Sequence, residues 1–346
     1  MKIDDTHGYL LHAVLPRGLP GLSSLAMLKH LIALGIKQRY DLILCGVAYP
    51  SAVLVYLTKN VTGRPYAIYS HGEDITMVEG SQAKRALLAR ALRGARIIMA
   101  NSTYTRCQAE IFGALRSKVS LVPPWVDPAR IEAVAPRTVE ALRDRLGLEG
   151  KRAILTVAHL DARKGQDTVI RALRSLRESV PNLHYVIAGK GDQSRLRTLA
   201  TSEGVGDIVT FTDYLSDEEL PALYHLCDVY VMVSRWDPAA HYVEGFGIVY
   251  LEAAAAGKPC VAGSQGGCPD AVEDGVTGLI VDPTSVGETV EALRALLNNP
   301  ARAAAMGAAG RDRVYSRFLK DMGLSRLAQV VETAMRKTAV QEQVAS

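Results

Sequence analysis

From residue 152 onward, short apolar segments alternate with segments of helical periodicity. The first apolar segment, Arg152 to Ala158, precedes Gln166 to Val180, where Val169, Leu173 and Leu176 fall at helical spacing. Buried strands that alternate with helices predict a parallel sheet covered on both faces, and therefore a Rossmann-like α/β domain. Further strands are predicted at His184–Ala188, Ile208–Phe211, Asp228–Val233, Pro259–Ala262 and Leu279–Val281.

The first half of the chain shows the same alternation over a shorter length. Predicted strands lie at Asp41–Cys45, Pro65–Tyr69, Ile97–Ala100 and Val119–Val122. A linker is predicted at Val126 to Val134, after the Pro123-Pro124 pair. The domains are accordingly predicted at residues 1–128 and 129–310, with residues 311–346 forming helices that pack back towards the first domain.

Composition excludes several other classes of protein. Of the 346 residues, 48% are hydrophobic and 22% charged, which excludes a disordered chain. The longest apolar stretch, Leu42 to Leu57, is interrupted by Gly46 and Pro50 and is too short for a membrane span. The five cysteines are odd in number and scattered, with no C-x-x-C pair. This pattern predicts reduced thiols, no structural zinc and a cytoplasmic location.

Charge is unevenly distributed between the two halves. Residues 1–128 hold 15 Lys and Arg against 8 Asp and Glu, a net charge of +7, whereas the remainder holds 25 against 28. A basic first half fits an acidic acceptor, or peripheral contact with the anionic inner face of a membrane. Ordinary variation of surface charge between domains is the alternative. The excess is not the extreme that indicates a nucleic-acid binder.

The loops after the strands of the second domain carry the candidate chemistry. In open parallel sheets, ligands bind beyond the carboxyl ends of the strands. Cations, glycines and a helix N-terminus together favour a phosphorylated ligand, although a Gly-x-Gly alone is more often a turn. The four loops are His159–Gly165, Gly189–Asp192, Glu244–Gly247 and Gly263–Gly267.

Glu252 lies inside an otherwise apolar helix, predicted from Phe246 to Ala256. A carboxylate in that setting needs partners, because leaving it unpaired costs several kcal/mol. Ribose hydroxyls would satisfy it, as they satisfy acidic residues in dinucleotide-binding folds. A salt bridge to a nearby cation and a solvent-facing position remain equal alternatives.

Taken together, these motifs resemble the retaining glycosyltransferases of family four over about residues 7–340. Glu244 and Glu252 match its pair of glutamates separated by seven residues, and Arg163-Lys164-Gly165 matches its basic phosphate-clamp motif. The closest similarity within the family is to phosphatidylinositol mannosyltransferase-like members. Further matching segments are Ser70–Glu73, Asn101–Thr103, Ala262–Asp270, Gly275–Leu279 and Ala305–Arg311.

The resemblance implies a GT-B fold, in which two Rossmann-like domains face each other across a cleft. It implies that the second domain binds a nucleotide sugar, GDP- or UDP-linked, and that the first binds a glycan or lipid acceptor. It further implies transfer with retention and no required metal. It assigns catalytic roles to His71, Glu244 and Lys164. It assigns donor binding to Lys164, Arg163, His159, Gly189, Gly191, Tyr214, Phe246, Gly247 and Glu252.

Two departures from the family pattern affect these expectations. Family members usually have Arg five positions before the clamp lysine, where this chain has His159. A neutral imidazole offers one donor in place of a guanidinium fork, so a weaker phosphate clamp is expected. The chain also begins at a position that matches the interior of the family's first domain. Tyr9 to Leu15 resembles its third or fourth strand, and Leu22 to Ile36 the following helix.

The second departure predicts an incomplete first domain that lacks an initial strand and glycine-rich loop. Such a sheet would leave an apolar edge, which favours self-association or a partner chain that completes it. Two other functions on the same fold stay open. One is a sugar-nucleotide epimerase, and the other is a non-catalytic nucleotide-sugar-binding subunit.

Three further segments have both a functional and a plain structural interpretation. The basic helix Gln82 to Leu92 fits either a membrane-facing surface or a solvated one. Trp125 is expected to pack at the hinge between the domains. Trp236, which lies in the loop before Glu244, is the better candidate for contact with the acceptor.

Overall fold

The computed structural model describes residues 28–29, 31–33, 36–37, 41–212 and 215–345. Two parallel sheets lie in separate halves of the chain, which confirms the predicted α/β class. The strand Tyr9–Leu15, most of the helix Leu22–Ile36, and Tyr214 fall outside the described residues.

The first sheet has four strands that pair in chain order, β1-β2-β3-β4, all parallel. Buried side chains of β2 and β3 pack against the helices on one face. The strands are β1 (Ile43–Cys45), β2 (Tyr66–Ser70), β3 (Ile97–Ala100) and β4 (Val119–Leu121). The helices are α1 (Val53–Thr62), α2 (Glu73–Thr76), α3 (Gln82–Gly94) and α4 (Thr103–Ile111).

The second sheet has six parallel strands in the order β10-β9-β8-β5-β6-β7. The order reverses between β5 and β8, which is the Rossmann arrangement with its ligand crevice at that point. The strands are β5 (Arg152–Val157), β6 (Leu183–Ala188), β7 (Val209–Thr212), β8 (Val229–Met232), β9 (Cys260–Gly263) and β10 (Gly278–Val281).

Helices cover both faces of this second sheet and form one apolar cluster on each. Local sequence signals set the ends of these helices: the helix that ends at Ser179, for example, is followed two residues later by Pro181. The helices are α5 (Pro128–Glu132), α6 (Pro136–Arg145), α7 (Gln166–Ser179), α8 (Ser194–Ser202), α9 (Glu219–Leu226), α10 (Ile248–Ala255), α11 (Cys268–Ala271), α12 (Val286–Leu297), α13 (Pro300–Arg317) and α14 (Lys320–Ala345).

The predicted linker, Val126 to Val134, is wrong in most of its length. Pro128 to Glu132 form α5, because Asp127 caps the helix and Pro128 occupies its first turn. Ile131 is buried in the core of the second domain. The connection between the two sheets is therefore confined to the few residues that precede α5.

The chain returns to the first domain near its C-terminus. The backbone N–H of Val126 donates to the Phe318 carbonyl at 2.9 Å. The segment that leaves the first domain therefore lies beside the segment that returns to it. Leu327, Val330 and Val331 of α14 then pack against β2 and β3 of the first sheet. These contacts agree with helices that pack back towards the first domain, while the exact domain boundaries stay predictions.

Two further features bear on the environment of the protein. All five cysteines are free, and only Cys107 among them is exposed. Within the described ranges, no helix combines the length and apolarity that a membrane crossing requires.

Candidate functional site

A cavity of about 590 Å³ lies between the two domains at the carboxyl ends of the strands. The first domain contributes residues that follow β2, β3 and β4, and the second contributes the loops after β5 and β8. It brings together seven of the predicted site residues: His71, His159, Arg163, Lys164, Glu244, Phe246 and Gly247. Tyr69, Asn101 and Trp125 also line the cavity.

A cluster of two cations and one carboxylate lines the cavity. The Lys164 ammonium donates to Glu244 Oε2, and Arg163 Nη1 lies 3.6 Å from the same oxygen. The three side chains are between 11% and 16% exposed, so water screens the cluster weakly. Arg163 Nε also lies 3.2 Å from Asp161 Oδ2, so two cations face two carboxylates and this group of four side chains is balanced in charge.

Electrostatics keep Glu244 ionised despite its burial. Burial alone would raise the pKa of this carboxyl, but Lys164 and Arg163, with a hydrogen bond from the Phe246 N–H, hold the pKa below its ordinary value of 4.5. Glu244 is therefore a fixed negative charge at neutral pH. An anion that enters the cavity would compete with it for the two cations.

Two glycines place the cluster against the sheet. Gly165 has φ +75°, and a Cβ there would lie 2.2 Å from the carbonyl oxygen of Val233, just after β8. Gly247 has φ +89°, and a Cβ there would lie 2.5 Å from the Tyr250 ring. The close approach at Gly165 brings Lys164 to the crevice, and Gly247 turns the chain into α10.

The loop after β8 is anchored by a second ion pair. The Arg235 guanidinium donates to both oxygens of Asp167 at 2.9 Å, and its backbone N–H donates to the Arg163 carbonyl at 2.8 Å. Burial would raise the pKa of Asp167, but Arg235 lowers it below its ordinary value. The Asp167–Arg235 pair thus connects the loop carrying Glu244 with the loop carrying Lys164. Sequence reasoning missed it, because nothing in the residue spacing joins these two positions.

Glu252 lies on α10, outside the lining of the cavity. Its Oε2 accepts a hydrogen bond from the Tyr224 hydroxyl at 2.6 Å, and its side chain is half-buried. The partner is thus a buried tyrosine of α9, which is neither of the alternatives considered from the sequence. The ribose contact that the family resemblance implies stays a prediction.

Gly189 and Gly191 also lie outside the cavity lining, and both have a close structural contact. A Cβ on Gly189 would lie 1.8 Å from the Ala158 carbonyl oxygen, and one on Gly191 would lie 2.8 Å from Leu160 Cβ. Their lack of side chains lets the loop after β6 lie against the loop that carries His159. His159 itself is exposed on the cavity wall.

On the opposite wall, His71 stands directly after β2. Its Nε2 lies 3.1 Å from the Gly46 carbonyl oxygen, and its ring meets the Tyr69 ring edge-on at 4.9 Å. The Asn101 amide donates to the His71 carbonyl at 3.3 Å. His71 therefore faces the cation cluster across the cleft with its ring and carbonyl both held.

Contacts across the cleft hold the two walls together. Gly245 approaches the first domain so closely that a Cβ there would lie 2.0 Å from the His71 carbonyl oxygen. The Thr103 N–H and hydroxyl, at the N-terminus of α4, donate to the Asp270 carboxylate at 2.9 and 2.8 Å. The structure thus shows the cleft closed at this end.

Of the two tryptophans, Trp125 has its predicted position and Trp236 does not. Trp125 lies in the cavity lining and also packs on Gly323, where a Cβ would meet its ring at 2.1 Å. Trp236, the predicted acceptor contact, is not among the lining residues; its backbone N–H donates to Gln265 Oε1 at 2.6 Å. The expectation for Trp236 is therefore not supported by its position, whereas the hinge packing of Trp125 is observed.

A pH experiment tests the charge state of Glu244. Because its folded pKa lies below 4.5, its ion pair stabilises the fold above that pH and loses its effect as the pH falls through the folded pKa. We expect the free energy of unfolding in urea to differ between wild type and Glu244→Gln near neutral pH, and the difference to shrink under acid. Glu149→Gln, at an exposed position, is the control variant for the loss of a carboxylate. A wild-type-to-variant difference that is constant with pH would contradict the assignment.

Comparison with known proteins gives the family. The family model described as "Glycosyl transferases group 1" matches residues 138–313, and "Glycosyltransferase Family 4" matches residues 4–130. A GDP-mannose-dependent alpha-(1-6)-phosphatidylinositol monomannoside mannosyltransferase of Mycolicibacterium smegmatis is 38% identical over 288 residues, covering 83% of this chain and 75% of that protein. A GDP-mannose-dependent monoacylated alpha-(1-6)-phosphatidylinositol monomannoside mannosyltransferase of Corynebacterium glutamicum is 32% identical, covering 89% and 80% respectively.

Solved structures show the same fold at lower identity. Anabaena HepE, in complex with UDP and glucose, is 22% identical with a TM-score of 0.77, covering 92% of this chain and 84% of that one. Sucrose-phosphate synthase from Thermosynechococcus elongatus is 21% identical with a TM-score of 0.77, covering 91% and 79%. These likenesses, with the two family models and the mannosyltransferase relatives, place the chain: it belongs to the family-four glycosyltransferases and has their GT-B fold.

Proposed function

We propose that this glycosyltransferase transfers mannose from GDP-mannose to an inositol phospholipid that already carries sugar, with retention of the anomeric configuration. The observation that carries the proposal is the cluster of Arg163, Lys164 and Glu244, which faces His71 across a closed cleft. The choice of donor and acceptor is supported by relatives at 37–38% identity that are named for GDP-mannose and phosphatidylinositol monomannoside.

In this proposal the donor diphosphate lies on the cation cluster. Lys164 and Arg163 exchange their contact with Glu244 for the phosphate oxygens, and the N–H groups at the start of α10 bind the same anion. As the bond from the sugar to the diphosphate breaks, negative charge grows on the leaving group. Fixed cations and N–H groups stabilise that charge more in the transition state than in the ground state.

The remaining donor contacts follow from the same placement. Glu252 would accept from the ribose with the oxygen that Tyr224 does not occupy. Glu244, once released by the cations, would accept from a hydroxyl of the sugar. His71 would contact the sugar from the opposite wall. In this proposal the cations of the cluster contact the diphosphate directly, and no metal ion is included.

The test is a transfer assay in which donor and acceptor are varied separately. We expect labelled mannose to pass from GDP-mannose to phosphatidylinositol monomannoside in the presence of EDTA, and no comparable transfer from UDP-glucose. Thermal shift with GDP and UDP measures donor binding independently of turnover. Isomerised donor without lipid product would favour the epimerase instead. Nucleotide binding without any product would favour a binding subunit.

A second part of the proposal concerns where the acceptor is met. The exposed face of α3 carries Lys84, Arg85 and Arg90. At the end of α4 Ile111 is 62% exposed, and in the segment that follows it Leu115 is 51% exposed. Arg85 also lies over the Phe112 ring at 4.6 Å, so the basic and apolar groups form one continuous surface. We propose that this surface contacts anionic lipid, which brings the cleft to its acceptor.

Vesicle sedimentation tests this contact. We expect binding to vesicles of anionic phospholipid at low salt, weak binding to zwitterionic vesicles, and loss of binding in Arg85→Glu/Arg90→Glu. The control Arg174→Glu changes charge on the second domain and should bind like wild type. Equal binding by both variants would indicate that α3 has only a solvated face.

A further inference from the structure

One buried carboxylate of the first domain has no role in the site as described so far. Asp74, in α2, is 3% exposed. Its Oδ1 accepts three hydrogen bonds: from the Ser70 hydroxyl at 2.8 Å, and from the backbone N–H groups of His71 and Gly72 at 2.9 Å each. Asp74 therefore binds the whole turn that carries His71.

The second oxygen of Asp74 connects this turn to a neighbouring loop. Asp74 Oδ2 accepts from the backbone N–H of Ala48, which begins a helical turn, Ala48–Ala52, at the end of the loop that follows β1. The same loop provides the Gly46 carbonyl that lies 3.1 Å from His71 Nε2. The two loops after adjacent strands are thus joined twice, once through Asp74 and once through the His71 ring.

These contacts fix the part of His71 that faces the second domain. The His71 carbonyl is the atom that Gly245 approaches across the cleft and that the Asn101 amide binds. A shift of the 70–74 turn would therefore move the His71 ring and this crossing point together. The rate of a catalysed reaction depends on how precisely the groups around the reacting atoms are placed, and a displacement of about 1 Å can lower that rate about a hundredfold.

The chemistry of the partners requires a carboxylate. All partners of Asp74 within the described ranges are N–H or O–H donors, so four donors converge on two acceptor oxygens. An asparagine supplies one acceptor oxygen, and its NH₂ would face either the Ala48 N–H or the three donors on the other side. A buried donor left without an acceptor is costly, so the turn would rearrange.

From this arrangement we infer that Asp74 is a positioning residue for His71 in sugar transfer. The inference rests on the proposed function, because it assumes that His71 contacts the donor sugar. Asp74 holds the ring and carbonyl of His71 in the position in which the carbonyl lies against Gly245 of the second domain. It does not touch the donor, so its removal should affect the rate of transfer and leave nucleotide binding in the second domain intact.

The experiment compares Asp74→Asn and the milder Ser70→Ala with the control Asp228→Asn. Asp228 is also a carboxylate that accepts a backbone N–H, from Ala153 at 2.8 Å, but it lies away from the cleft. We expect kcat to fall about 10- to 100-fold in Asp74→Asn and less in Ser70→Ala, with KM for the donor and GDP affinity unchanged. Ser70→Ala tests the inference if Asp74→Asn does not fold.

A readout independent of turnover separates this inference from the proposed function. In protein labelled with ¹⁵N-histidine, the His71 signal is assigned by its loss in His71→Gln. We expect that signal to shift in Asp74→Asn, while those of His184 and His225 in the second domain stay in place. An unmoved His71 signal, or a full kcat in the folded variant, would overturn the inference. Absence of transfer by wild type would overturn the proposed function, while the His71 signal would still decide whether Asp74 positions that residue.

Discussion

Replacement of Lys164 by alanine is expected to weaken GDP binding about 10- to 150-fold and to leave guanosine binding unchanged. The loss of a hydrogen bond to a charged group costs about 1.5–3 kcal/mol, which corresponds to that range. Lys164 sits at the cleft with only 11% of its side chain exposed, so solvent replaces it poorly. Isothermal titration with GDP and with guanosine measures both affinities.

The ion pair with Glu244 complicates a single substitution. Lys164→Ala leaves a buried carboxylate whose remaining partners are the Phe246 N–H and Arg163, which lies at 3.6 Å and is shared with Asp161. The double variant Lys164→Met/Glu244→Gln removes both charges together, and replacing a whole buried pair is often close to neutral for stability. We expect the double variant to recover stability and to keep the loss of GDP affinity. The matched control is Lys151→Ala, which removes an exposed lysine that directly precedes β5, at the amino end of that strand.

Two results would contradict this assignment of Lys164. Recovery of GDP affinity in the double variant would show that the single variant lost binding through the unpaired Glu244. Equal losses for GDP and guanosine would show that Lys164 acts on the nucleoside side of the donor.

Most of the strands can be predicted from the sequence because they are buried on both faces and therefore appear as short apolar segments between the helices. Leu183–Ala188, for example, is buried at every position although it includes His184, so its identity as a strand depends on composition over a few residues. The Rossmann order then places their carboxyl ends at one edge, and this brings Arg163, Lys164 and Glu244 together as expected. The local signal for α5, Asp127 as a cap followed by Pro128 in the first turn, is present in the segment where a linker is predicted.

The partners of the site residues could not be predicted in the same way. Tyr224 reaches Glu252 from another helix, 28 positions earlier in the chain, and Arg235 reaches Asp167 over 68 positions. Such pairs depend on how helices pack over the sheet, which no local pattern encodes. Asp74 offered a faint signal, because a carboxylate three residues after His71 is well placed to cap the turn that follows β2.

Glycine positions show the same division between local and distant causes. Gly247 and Gly165 have positive φ, which a turn before a helix favours and a sequence can indicate. Gly245 has no such backbone requirement. Glycine is needed at position 245 because the His71 carbonyl of the first domain, across the cleft, occupies the space that a Cβ would fill.

Replacement of Gly245 by alanine is therefore expected to lower kcat about a hundredfold while GDP affinity stays near that of wild type. The added Cβ would lie 2.0 Å from the His71 carbonyl oxygen and 3.2 Å from the Asn101 amide nitrogen, so the two walls must separate. A displacement of about 1 Å in a reacting geometry costs about that factor. An opened cleft also admits water, which weakens the effect of the cation cluster on the leaving diphosphate.

The comparison for this variant is Gly287→Ala, on an exposed turn of α12 where a Cβ has its first neighbour, Ser285 Oγ, at 4.0 Å. It should retain wild-type activity and stability. Single-turnover transfer from GDP-mannose gives the rate, titration with GDP gives the affinity, and small-angle scattering gives the opening of the domains. We expect Gly245→Ala to be more open than wild type in the presence of GDP. A loss of GDP affinity as large as the loss of rate would show instead that the methyl group distorts the loop between Glu244 and Phe246, and the cleft would then not be what limits transfer in this variant.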